Sequence, residues 1–115
     1  MQIVTRSDDD ALVVHVLEPR IDAAVAIQFK DAMRERIAQA PARVVLDLSR
    51  VDFIDSSGLG AVVAMMKLLA PARRLELAGL TPTVEKVFRL THMDRVFTIH
   101  PAPPAPPDPD RRCAG

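Results

Sequence analysis

The chain has 115 residues with fifteen basic and fifteen acidic side chains, and nearly half of it is hydrophobic; it is long enough for one core and apolar enough to fold. Zero net charge and the absence of Trp and Tyr argue against an electrostatic hold on nucleic acid or an anionic membrane, and against a base-stacking surface. One cysteine, Cys113, allows no internal disulfide and no Cys–His zinc site. With no basic-then-apolar leader and no uncharged apolar run longer than Gly58–Met66, a reduced, cytoplasmic protein without a membrane span, metal or cofactor is expected.

In chain order, Gln2–Arg6 and Ala11–Leu17 read as two strands joined by a polar turn, a hairpin that Pro19 stops. From Asp22 the period changes: Val25, Phe29, Ala32, Met33 and Ile37 recur at helical spacing, with Asp22 as the expected N-cap and Pro41 at the exit. Val44–Leu48 is a β-branched run of the kind buried on both faces of a parallel strand. Leu59, Val62, Val63, Met66 and Leu69 predict a second helix that ends before Pro71. Arg73–Ala78 predicts a further strand, Thr81-Pro82 a capped helix start, and Val96–Ile99 a last strand. Six of the ten prolines fall in Pro101–Pro109, so residues 101–115 are expected as an extended, disordered tail after a domain of residues 1–100. The order β-β-α-β-α-β-α-β predicts a single α/β domain with a mixed sheet.

Between the central strand and the second helix stands Asp55-Ser56-Ser57-Gly58-Leu59-Gly60. Such a loop emerges at the carboxyl edge of the sheet, with its serines at the positive amino end of a helix. The simplest reading is a helix cap in which Asp55, Ser56 or Ser57 accepts a backbone N–H and the glycines ease the turn. That leaves Gly60 without a purpose, because a glycine inside a helix costs roughly 1 kcal/mol against alanine. A phosphate loop of the Gly-x-x-x-x-Gly-Lys type is absent, since Lys67 lies two turns further on. The Gly-x-Ser-x-Gly elbow of a hydrolase is absent too, since Ile54 and Asp55 occupy the positions where glycine is required. A serine nucleophile needs a base as well, and His15, His92 and His100 are all remote in sequence. What remains is a hydroxyl presented for reversible modification.

The stretch "VVLDLSRVDFIDSSGLGAVVAMMKLL" resembles the central motif of the STAS-domain anti-sigma factor antagonists. "EPRIDAAVAIQFKDAM" before it and "LELAGLTPTVEKVFRLTHMDRVFTIH" after it extend the resemblance over Met1–His100. The resemblance implies an STAS-like fold with helices mainly on one side of the sheet, no catalysis and no nucleotide. It implies that Ser57 is the phosphoacceptor of an anti-sigma factor that is itself a serine kinase, and that a PP2C-type serine phosphatase resets it. By the resemblance Ser56 and Asp55 would shape the phospho-loop, with Asp22 beside it; the small residues and apolar stripe that follow, Gly58, Leu59, Gly60, Ala61 and Val62, are expected to add the edge of the partner-binding face. Two departures stand out: the helix that closes the family's fold is replaced by prolines, leaving room for a weak homodimer or a partner, and the Pro19-Arg20 turn lacks glycine. An STAS adaptor of a larger signalling or transport complex, not regulated by serine phosphorylation, and a small serine hydrolase remain as alternatives.

Overall fold

The computed structural model describes residues 1–8, 10–38 and 40–104. Strands β1 (Ile3–Asp8) and β2 (Ala11–Val16) form the expected antiparallel hairpin, with Ile3 opposite Val16 and Asp8 opposite Ala11. Strands β4 (Arg43–Asp47), β6 (Arg74–Ala78) and β7 (Ile99–His100) add to β2 in parallel, giving one sheet in the order β1-β2-β4-β6-β7. Helices α1 (Ala26–Ile37), α2 (Ser56–Leu69) and α3 (Pro82–Leu90) provide the three crossovers. Because strand order advances in one direction from β2 to β7, crossovers of a single hand place every helix on the same face. Mixed α/β architecture with three helices and a mixed sheet is therefore what the sequence specifies.

Strand periodicity sorts the side chains. Val14 and Val16, Val44 and Leu46, and Leu75 and Leu77 point to the helices and meet Phe29 and Met33 of α1, Val62 and Met65 of α2, and Val84 and Phe88 of α3. The residues between them point to the second face. There Ala11, Val13, Val45 and Ala78 form a smaller buried apolar cluster, bordered by polar rows. His15 Nδ1 meets Asp47 Oδ2 at 2.6 Å. Glu76 Oε1 accepts from Arg43 Nε at 2.8 Å and lies 2.7 Å from His100 Nε2. Burial alone pushes the Glu76 carboxyl up, but the hydrogen bonds with His100 and Arg43 outweigh it and hold the group below its ordinary 4.5. The same hydrogen bond raises the Arg43 pKa.

Several details depart from expectation. Two-residue strands β3 (Arg20–Ile21) and β5 (Phe53–Ile54) pair in parallel as a separate small sheet. Asp22 does not cap α1. That helix begins at Ala26 behind Val25, which has no side-chain cap, and Asp22 closes the turn before it, its Oδ1 accepting from Ala24 N at 3.1 Å. The Thr81 hydroxyl, expected to cap α3, donates to Val51 O at 2.8 Å and ties the helix start to the loop after β4. The last strand is Ile99–His100 rather than Val96–Ile99. A 3₁₀ turn at Met93–Arg95 draws the chain inward, and Phe97 packs edge-on against Phe88 with ring centroids 5.9 Å apart.

No helix forms between His100 and Pro104. Pro103 sits against Gly79, which adopts a left-handed φ of 67°, and the Pro104 carbonyl accepts from Arg6 Nη2 on β1. The remainder of the expected tail, residues 105–115, lies outside the described residues.

Candidate functional site

Asp55 organises the site. Its backbone is extended (φ −104°, ψ −174°), and as N-cap of α2 its Oδ1 accepts from Gly58 N at 2.8 Å. The second oxygen, Oδ2, accepts from Ala23 N at 3.1 Å, and the Asp55 N–H reaches Ile21 O at 3.3 Å. One carboxylate thus caps the helix and clasps the Ile21–Ala24 turn to it, bringing Asp22 beside the loop. A short capping carboxylate leaves the serines free for something else.

Ser56 and Ser57 occupy the first two positions of α2, and both are exposed. Among the described residues neither hydroxyl has a hydrogen-bond partner, and the N–H groups of a helix's first turn have no partners within the helix. Ser57 therefore stands in an anion-favouring field with open solvent in front of it.

The two glycines act differently. Gly58 is buried, and a Cβ there would fall 2.0 Å from Ile21 O and 2.9 Å from Ile54 Cγ1; only glycine lets α2 lie this close to β3. Gly60 is exposed, and a Cβ there would meet no atom within 4 Å. The fold does not require it. Leu59 is half-buried and packs on the core. Ala61 and Val62 were expected at the partner-facing edge, but both are buried in the core, Val62 completely. Within the motif's part of α2, the residues open to solvent are accordingly Ser56, Ser57 and Gly60, with Leu59 half-buried beside them.

Sequence reasoning overlooked Arg20 and Phe53. They pair across β3 and β5 just before the loop, Phe53 is 42% exposed, and the Arg20 guanidinium lies 5.5 Å from its ring centroid. The signal was present in the sequence as an aromatic beside the buried-type Ile54, two residues ahead of Asp55. His15 and His100 are engaged with Asp47 and Glu76 on the second sheet face, and His92 is exposed in a left-handed conformation (φ 60°). Among the described residues, no cluster of three or more His, Cys, Asp or Glu is arranged to hold a metal, and no helix is long and apolar enough to cross a membrane.

With this geometry in place, comparison with known proteins decides the family. A sequence model of the STAS domain matches residues 2–103. The chain belongs to the STAS domain family. BtrV of Bordetella bronchiseptica, whose name marks it as a candidate anti-sigma factor antagonist, is 30% identical over 97 residues, covering 84% of each chain. RsfB of Mycobacterium tuberculosis, an anti-sigma-F factor antagonist, is 26% identical over 103 residues, covering 86% of this chain and 84% of RsfB. The crystal structure of an anti-sigma factor antagonist from Mycobacterium paratuberculosis superposes with a TM-score of 0.78 at 25% identity, covering 98% of this chain and 91% of that one. Relatives and structural neighbours of this STAS domain thus support an anti-sigma factor antagonist function, and antagonists of this family are typically non-enzymatic regulators.

Proposed function

We propose that this STAS domain antagonises a serine-kinase anti-sigma factor, and that phosphorylation of Ser57 releases it from that kinase. The observation that carries the reading is the exposed, unpartnered Ser57 hydroxyl beside an exposed Gly60 that the fold does not use. A kinase needs a hydroxyl its active site can reach, and a small neighbour lets its backbone approach. Once attached, phosphate adds about −1.5 to −2 charges. The amino end of α2 tolerates them, but the contact with the kinase does not, since the dianion must be desolvated against a surface that already faces Asp22 and Asp55. A hundredfold loss of affinity requires only about 2.7 kcal/mol, within the reach of one unpaired interfacial charge. A PP2C-type phosphatase would return the chain to its binding form, and the whole exchange would take place in the cytoplasm.

The test is incubation with ATP and candidate anti-sigma kinases, followed by intact-mass spectrometry and site mapping. A single phosphate on Ser57, absent from Ser57→Ala, is expected, and Ser57→Ala used as bait should retain the kinase. Phosphate on Ser56 or Thr81, or none, would overturn the assignment and favour an adaptor role without a serine switch.

A further inference from the structure

The edge of β6 is only half covered. Arg74 N donates to Ala42 O and Ala78 O accepts from Leu48 N, so these residues and Glu76 turn their backbone groups toward β4. Leu77 N donates to Thr98 O and Gly79 N to His100 O, so the odd-numbered residues turn theirs toward β7. Strand β7 starts at Ile99, opposite Leu77. One step earlier the chain has left the sheet: Val96 N and Phe97 N both donate to Met93 O in the 3₁₀ turn. Leu75 therefore aims an N–H and a C=O outward with no backbone partner among the described residues. A cavity of about 550 Å³ opens here, lined by Leu75 together with Met66 of α2, Val96, Thr98, Arg73 and Arg74.

The charge of this groove is one-sided. Arg43 is held by Glu76 and also faces Asp8 and Asp10 from the β1–β2 turn. Arg74 is 74% exposed and only 3.8 Å from Glu76, and Arg73 uses Nη1 on Ile37 O at 2.5 Å while keeping its other donors. With Glu76 already matched to Arg43, the positive surplus rests on Arg73 and Arg74.

We infer that this groove docks an extended segment of another protein that alternates apolar and acidic residues, adding it as a strand beside Leu75. Backbone pairing would satisfy the open N–H and C=O. Alternation follows from the period of two: carboxylates turn to Arg74 on the second sheet face, and apolar side chains turn to Met66 and Val96. The groove adjoins the carboxyl end of α2 and Ser57 its amino end, about 20 Å away along fourteen residues. The groove is therefore a site apart from the loop that carries Ser57.

The test uses the ¹⁵N-labelled full chain and the peptide acetyl-Thr-Val-Glu-Val-Glu-Val-Thr-amide. In the free protein the Leu75 amide should exchange with solvent much faster than that of Leu77. The peptide should give saturable shifts at Leu75, Val96 and Thr98 and slow the Leu75 exchange, and Arg74→Glu should weaken binding at least tenfold. A Leu75 amide already protected in the free chain would overturn the inference without recourse to any variant. So would shifts centred on Ser57, the absence of shifts, or equal shifts from free glutamate or from the peptide with lysine in place of glutamate.

Discussion

Gly58 and Gly60 stand two positions apart in α2, and their surroundings predict opposite responses to one added methyl group. At Gly58 the carbon would overlap a backbone carbonyl, Ile21 O, that belongs to a paired strand and has little freedom to retreat. Overpacking of this kind costs about 1–3 kcal/mol and sometimes more, so Gly58→Ala should lower the thermal midpoint by several degrees and loosen the loop that carries Ser57. At Gly60 the methyl meets open space, and removing backbone freedom from a helix interior should stabilise the chain by up to about 1 kcal/mol. Thermal unfolding of the two variants checks both signs. A stabilising Gly60→Ala that also weakens binding to the cognate kinase would show that the glycine serves the contact; unchanged binding would remove that role. The Asp-Ser-Ser-Gly-Leu-Gly motif was legible residue by residue, but the division of labour within it was not. A sequence does not display that Asp55 has two oxygens and uses each on a different element, or that Val62 lies on the buried stripe while Ser57, five positions earlier, faces solvent.

At the scale of elements, the buried carboxylate of β6 offers a test of how the second sheet face is held. Glu76 titrates lower in the folded chain than in the unfolded one, so its contribution is complete above about pH 4.5 and drains away as pH falls through the lower, folded value. Glu76→Gln keeps the shape and removes the charge. It should destabilise the protein near neutral pH by roughly 1.5–3 kcal/mol, the usual worth of a hydrogen bond to a charged group, and the gap from wild type should narrow as pH falls below 4.5. Urea unfolding at neutral pH and at an acidic pH measures this, and a constant gap would mean that charge plays no part. Strong periodicity made β2, β4, α1 and α2 legible. Short elements were not, since two residues at Arg20–Ile21 or Phe53–Ile54 carry no period, and their pairing is decided by the Ile21 and Asp55 contacts made around the loop. The Val96–Ile99 expectation failed because Val96 and Phe97 give their N–H groups to Met93 O in the turn after α3, which keeps this end of the segment out of the ladder.

For the molecule as a whole, the question is whether a switch at Ser57 must reshape the fold. Its neighbours are already fixed from both sides: Asp55 holds Gly58 and Ala23, Gly58 abuts Ile21, and α2 buries Ala61, Val62 and Met65 one turn further on. A negative charge at the second helical position meets the favourable end of the helix dipole and displaces no hydrogen bond of the Ser57 side chain. The physical expectation is a change of surface with no change of packing. Ser57→Asp carries only part of the phosphate charge, yet it should weaken kinase binding by tenfold or more while moving the thermal midpoint by no more than a few degrees. Its amide shifts should stay within Ile21–Ala24 and Asp55–Gly60, readable in one ¹⁵N spectrum. If shifts spread across β4 and β6 to His15 and His100, the loop would be coupled to the second face, and release would have to be explained by rearrangement instead of by local repulsion.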